Sequence, residues 1–155
     1  MSMIGMFGVC SQSHYNKLAN LLKSKDSGET EKLMQEIYSE VEASAEKLAN
    51  DQCSGEVFTA LFYYLKTAYG IDLQRGKEAF REKWTAVSGD WDAVVFHEKE
   101  QLLSLEDSMD FGGLQQFIND FYQTDYGASG QTAWNVLLGN LKRTGPEQVL
   151  IWHMF

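Results

Sequence analysis

Proline and cysteine are scarce in this chain of 155 residues, and no long apolar run occurs in it. Pro146 is the single proline, and no Gly/Ser-rich linker divides the sequence, so we expect one domain over residues 1–155. The two cysteines, Cys10 and Cys53, are too few for a disulfide framework, which indicates free thiols in a reducing compartment. The apolar segments fall far short of the roughly 20 residues that span a bilayer. With no signal-peptide pattern at the N-terminus, a cytoplasmic protein without membrane association is expected.

Recognised motifs for catalysis and metal binding are also missing. His14, His97 and His153 stand far apart, without the close histidine or cysteine spacings of zinc sites. There is no Gly-x-Ser-x-Gly and no phosphate-binding loop. Cys10 and His14 could form a nucleophile and base, but no activating partner is identifiable, and a buried structural thiol is expected instead. We therefore predict no catalytic residue, no metal and no cofactor.

Short apolar segments at both ends and hydrophobic periodicity between them indicate the fold class. Residues 3–10 and 149–155 read as buried strands, and 93–96 as a third. Ser11 or Ser13 caps a first helix, and apolar periodicity predicts further helices at 29–50, 54–70, 72–87, 98–105, 111–123 and 132–144. Pairing the two termini in one sheet is the economical arrangement. We predict a single α+β domain, with a small sheet that includes the N- and C-terminal strands packed against several helices.

Both ends resemble the YfbM-like family of small bacterial proteins of unknown function. The similar segments are Met3-Ile4-Gly5-Met6-Phe7 with the Leu18/Leu21/Leu22 helix, the terminal Val149-Leu150-Ile151-Trp152, and the central helix at 57–65. The family's usual Trp and His positions in that helix are replaced here, and the match covers about a third of the chain. The resemblance implies an α+β fold and a bacterial origin, and it supplies no catalytic residue.

Most of the negative charge lies in one stretch. Residues 84–141 carry nine acids and one base, Lys99, so this stretch accounts for −8 of the formal net charge of −9. The electric field of such a clustered negative charge attracts basic partners and repels nucleic acid and anionic membranes. The one compact basic cluster, Arg75, Lys77, Arg81 and Lys83, is diluted by neighbouring glutamates, so no nucleic-acid partner is predicted.

Acids and aromatic residues together favour recognition of a basic protein. We therefore interpret the chain as a non-catalytic protein-binding inhibitor, most concretely an immunity protein that neutralises a bacterial toxin by covering a basic surface or active site. Charge would speed association, and aromatic anchors such as Trp91, expected to be partly exposed, would supply affinity. The predicted partner-binding residues are Asp90, Trp91, Asp92, Glu98, Glu100, Glu106, Asp107, Asp110, Asp125 and Tyr126.

Two other functions remain open at this point. The chain could be a small enzyme or ligand-binding domain, which requires a pocket with convergent polar groups. It could also be a structural or adaptor subunit, which would oligomerise stably. For the inhibitor we expect a monomer or a weak homodimer.

Overall fold

The computed structural model describes residues 3–24, 27–45 and 54–155, and Cys53 lies outside these ranges. Three strands form one sheet: β1 (Gly5–Ser11), β2 (Asp92–Phe96) and β3 (Gln148–Met154). The helices are α1 (Gln12–Ser24), α2 (Ser27–Ala45), α3 (Gly55–Tyr69), α4 (Glu78–Ser88), α5 (Lys99–Leu103), α6 (Phe111–Tyr122) and α7 (Gly130–Arg143), with a 3₁₀ turn at Tyr126–Ser129. The predicted single-domain α+β fold, with both terminal strands in one sheet, is confirmed.

The C-terminal strand lies at the centre of the sheet. The strand order is β1-β3-β2, and both neighbours run antiparallel to β3. In this register Met154 stands opposite Gly5 on one side and Asp92 on the other. The starts of β1 and β2 and the end of β3 therefore meet at one end of the sheet.

Helices cover both faces of the sheet, and alternate strand residues point into two apolar clusters. On one face Leu150, Trp152 and Met154 pack with side chains of α3, α6 and α7. On the other face Val149 and Ile151 pack with α1, α2 and α4. This alternation explains why β3 reads as a nearly continuous apolar run, since a strand buried on both faces is apolar at most positions, with His153 as the buried exception.

The structure corrects the start of α4, which was predicted at position 72 and begins at Glu78. The Asp72 side chain accepts a hydrogen bond from the Gln74 backbone N–H at 3.1 Å, a local bond that competes with helical pairing. Gly76 then takes a left-handed conformation with φ of 77°. The chain therefore makes a turn over the first six residues of the predicted helix.

Side chains occupy part of the outer edges of both flanking strands. Ser44 of α2 bonds to the backbone N–H and C=O of Val9 in β1, at 2.8 and 3.2 Å. Glu40 accepts the Ser11 N–H at 3.0 Å. On β2, the Lys77 ammonium donates to the Val95 carbonyl at 2.5 Å. These bonds oppose pairing with a strand of another chain.

None of the helices in the described ranges has the length and apolar character required to cross a membrane.

Candidate functional site around Trp91

Trp91 is the most exposed large apolar side chain of the described residues, with 68% of its surface accessible. Helix α4 ends at Gly89, whose left-handed φ of 77° turns the chain toward β2. The Trp91 backbone N–H then donates to the Met154 carbonyl at 2.8 Å, which fixes the backbone to the central strand. The predicted exposure of Trp91 is therefore confirmed, and its indole is displayed from a firmly held position.

Asp90, on the N-terminal side of Trp91, is buried, so its carboxylate is not displayed at the surface. One carboxylate oxygen accepts the Trp84 indole N–H at 2.8 Å, and the same oxygen lies 2.8 Å from Nδ1 of His153. Both His153 and Asp90 side chains are about 95% buried. The backbone N–H of Asp90 also donates to the Ser88 hydroxyl at 3.0 Å. Asp90 therefore joins α4, β2 and β3 inside the protein.

Asp92, on the other side of Trp91, is also largely removed from solvent. Its Oδ1 lies 2.6 Å from Nε of Arg81 in α4 and accepts the Ala93 N–H at 2.8 Å. Burial raises the pKa of Asp92 above its usual value, and the Arg81 charge opposes that shift. Only 14% of the carboxylate side chain is exposed, so little of it is available to a partner. The carboxylates on both sides of Trp91 are therefore bonded to groups of the protein itself.

A cleft of about 350 Å³ opens beside the indole. Its apolar walls come from the two ends of the chain (Met3 and Met154), from α3 (Phe62 and Tyr63) and from the segments before and after α4 (Leu73 and Trp91). Two ion pairs, Arg81–Asp92 and Lys66–Asp72, also line it. The volume falls in the range of small-ligand pockets, which are mainly apolar with a few polar groups.

Exposed aromatic rings continue from this cleft along α3 and α6. The Tyr63 ring lies 5.3 Å from Phe121, and Phe121 lies 4.8 Å from Tyr122, centroid to centroid. Tyr122 in turn lies 5.9 Å from the predicted residue Tyr126. We call Trp91, Tyr63, Phe121, Tyr122 and Tyr126 the aromatic surface. Apart from the half-buried Tyr122, its members are exposed.

Two further exposed apolar residues, Ile4 and Phe155, lie at the same end of the sheet as Trp91. Their backbones exchange two hydrogen bonds of 2.9 Å. With the aromatic surface they account for every large apolar side chain that is exposed in the described ranges. Exposed apolar groups that gather in this way, rather than scatter singly, mark interaction sites.

The acids after β2 lie elsewhere and are partly used in internal pairs. Glu98 is 2.6 Å from the buried Lys77 ammonium, and burial lowers the pKa of Lys77 despite that pair. Only 16% of the Glu98 side chain is exposed, so little of this carboxylate is available to a partner. Two members of the basic cluster predicted from the sequence, Lys77 and Arg81, are likewise paired with acids, Glu98 and Asp92.

The remaining predicted acids are exposed but spread over the surface. Glu100 lies in α5, Glu106 pairs with Lys142 of α7, and Asp107 is exposed just after Glu106. Asp110 caps α6 by accepting the Gly113 N–H at 3.0 Å, whereas Asp125 follows the other end of that helix. Twelve residues of helix correspond to about 18 Å. These positions do not form one compact acidic site.

Groups suited to covalent or metal chemistry do not converge in the described ranges. No group of three or more metal-binding side chains occurs there. Burial, together with the Glu40 carboxylate, raises the pKa of Cys10 to about 12, so the thiol stays protonated and the predicted structural role fits. Glu40 lies 2.5 Å from Nδ1 of His14. His14 therefore has a carboxylate partner, and it has no activated Cys10 thiol beside it.

Sequence reasoning missed Tyr63, Phe121 and Arg81 as parts of the site. Tyr63 lies in a helix whose apolar residues fall on nearly all sides, and that pattern indicated complete burial. Phe121 shares a stripe with the core residues Leu114 and Ile118. Their exposure depends on where neighbouring helices end, for which the sequence carries no direct signal.

Comparisons of the chain with protein-family models, with curated proteins and with solved structures found no significant match. The YfbM-like resemblance therefore stays a prediction.

Proposed function

We propose that this chain is a non-catalytic protein-binding inhibitor, and specifically an immunity protein that binds a basic toxin through the aromatic surface. The observation that carries the proposal is the 68% exposure of Trp91 beside a cleft. Tryptophan and tyrosine are the residues enriched at the energetic centres of protein interfaces. An exposed tryptophan costs the free protein solubility, which favours a role in binding.

The mode of attachment of Trp91 supports this role. Hydrogen bonds and an ion pair hold Asp90 and Asp92 on both sides of it. A backbone fixed in this way needs little ordering on binding, so more of the contact energy appears as affinity. Because side chains cover bonding groups on both outer strand edges, the partner is expected to bind side chains rather than add a strand.

Net charge supports a basic partner. The chain carries −9, and exposed Glu100, Asp107 and Asp125 contribute to the field at some distance from Trp91. Long-range attraction of this kind raises the association rate without requiring direct contact. The acids therefore act in this proposal as a general field, while the aromatic surface supplies the contacts.

A second candidate function, a ligand-binding domain or small enzyme, is favoured by the cleft itself. Its volume of about 350 Å³ and its mixed lining suit a small molecule. The inhibitor predicts that a protein partner is captured stably, whereas the ligand-binding domain or small enzyme predicts that none is.

The test is capture of partners from a lysate of the cells that encode the chain, at low and high salt, with identification by mass spectrometry. The immobilised wild type is compared with Trp91→Ala and with Glu31→Ala, an exposed change on α2. We expect one stoichiometric basic protein, encoded by a neighbouring gene, on the wild type and on Glu31→Ala, and its loss on Trp91→Ala. Equal capture by all three proteins, or no specific partner, would contradict the proposal.

A further inference from the structure

The cleft beside Trp91 contains hydrogen-bond donors that its own carboxylates do not fully use. Arg81 approaches Asp92 most closely through Nε, at 2.6 Å. Nε is the inner nitrogen of the guanidinium, and arginine carries its other N–H donors on the two terminal nitrogens. Nearly half of the Arg81 side chain, 46%, is exposed. The guanidinium is therefore held in place at one end and available at the other.

Lys66 is a second available cation in the same cleft. Its ammonium lies 3.6 Å from Oδ2 of Asp72, which is longer than a normal hydrogen bond. The Lys66 side chain is 58% exposed. Asp72 also accepts the Gln74 N–H, and Asp92 accepts the Ala93 N–H. In this cleft the acids are engaged by the protein, whereas the side chains of both cations are about half exposed.

Apolar walls accompany these donors. Phe62, Leu73, Met3 and Met154 line the cleft together with the Trp91 indole and Tyr63. A ligand that matches this lining has an apolar or aromatic body and one group that accepts several hydrogen bonds. Arginine binds a carboxylate through two parallel N–H···O bonds, which makes a carboxylate the best match.

We propose that the Trp91 cleft binds a small carboxylic acid with an aromatic or aliphatic body, its carboxylate held by Arg81 and Lys66 and its body against Trp91 and Tyr63. The inference depends on the cleft and is independent of the proposed protein partner. A cationic ligand of the same shape would stack on the indole, but it would face two cations and two engaged carboxylates.

Trp91 provides a selective signal for this site. The other tryptophans of the chain, Trp84, Trp134 and Trp152, are completely buried. A ligand in the cleft therefore changes the fluorescence of one exposed indole and leaves the others in place. The probes are 3-phenylpropionate, 3-phenylpropan-1-ol and 3-phenylpropylamine, which share a body and differ in charge.

We expect 3-phenylpropionate to give a saturable change at physiological salt, with an affinity at least tenfold higher than those of the alcohol and the amine. Lys66→Gln and Arg81→Lys should each weaken the acid about tenfold and leave the alcohol unchanged, because each removes charge-assisted hydrogen bonds. Arg143→Gln, an exposed change in α7 away from the cleft, is the matched control and should bind like the wild type. Near-UV circular dichroism checks that every variant is folded.

The proposal is overturned if the amine or the alcohol binds as tightly as the acid, or if no probe saturates. It is also overturned if folded Lys66→Gln and Arg81→Lys both keep the wild-type affinity for the acid. Because Lys66→Gln retains Trp91, partner capture by this variant can succeed while binding of the acid is lost. Failure of one proposal is therefore distinguishable from failure of the other.

Discussion

Asp90 and Asp92 flank Trp91 in the sequence, and both carboxylates are used inside the protein rather than on its surface. The partners of Asp90 are six and 63 positions away, at Trp84 and His153, and Asp92 pairs with Arg81 of α4. A count of acids along the chain cannot distinguish a buried, hydrogen-bonded carboxylate from a solvated one. The exposure of Trp91 was predictable because a turn signal precedes it, whereas the burial of its neighbours was not.

Replacement of Asp90 by alanine tests this internal role. Asp90→Ala leaves the buried Trp84 indole N–H and the His153 ring without their acceptor, and unsatisfied buried polar groups are costly. We expect a loss of about 3 kcal/mol in the free energy of unfolding, measured with urea. Asp107→Ala, an exposed acid, is the control and should change stability by less than about 0.5 kcal/mol. Similar small effects of both substitutions would contradict the buried network.

Because the pKa of Asp92 is raised in the folded state, its contribution to the free energy of unfolding changes with pH in a defined direction. The folded state favours the protonated form of Asp92. The stabilisation that this group contributes is therefore fully present below pH 3.8, and it is lost as pH rises through the folded-state pKa. Wild type should therefore gain stability relative to Asp92→Asn as pH falls from neutrality toward 4. Urea unfolding of both proteins across this range measures the difference. A relative loss on acidification would mean that the Arg81 attraction outweighs burial.

At the level of elements, apolar patterns predicted most of the helices and all three strands. In β3, burial on both faces leaves mainly apolar choices, and His153 is its one buried polar residue. The start of α4 failed because the local Asp72 bond and Gly76 outweigh helical periodicity over those residues. Periodicity identifies which face is buried, and it does not show where a side chain ends a helix.

Removal of residues 149–155 tests the central position of β3. The truncation deletes the strand that pairs with both β1 and β2 and six buried residues. We expect no cooperative thermal transition by circular dichroism, because both apolar clusters lose their shared wall. Deletion of Phe155 alone, which is exposed, is the control and should retain a cooperative transition. A normal midpoint for the longer truncation would refute the topology.

For the whole molecule, closeness in sequence did not mean closeness in space. The acids of residues 84–141 are distributed from the start of β2, past α5, to both ends of α6. The five residues of β2 alone correspond to about 16 Å. The exposed aromatic residues show the opposite behaviour, since α3, α6 and the chain termini bring them to neighbouring positions. The net charge could be read from the sequence, but the positions of the charged residues in space could be known only from the fold.

The field of the whole molecule predicts a rate effect for charge reversal. Glu100→Lys with Asp107→Lys should lower the association rate with a basic partner at low salt, and the effect should fade as salt rises. Glu31→Lys with Glu36→Lys, on α2, changes net charge equally, so a general field predicts an equal decrease for this pair. Stopped-flow association rates separate a local field from a general one. Unchanged rates for both variants at low salt would exclude steering by charge.

The most direct measurement is the affinity of the captured partner for wild type and for Trp91→Ala, by isothermal titration calorimetry. If Trp91 is the central anchor of the interface, the variant should bind at least about 2 kcal/mol more weakly, which is roughly thirtyfold. Its unfolding curve should match that of the wild type, because the indole is exposed. Affinities within threefold of each other, with both proteins folded, would contradict the claim that the aromatic surface around Trp91 binds the partner.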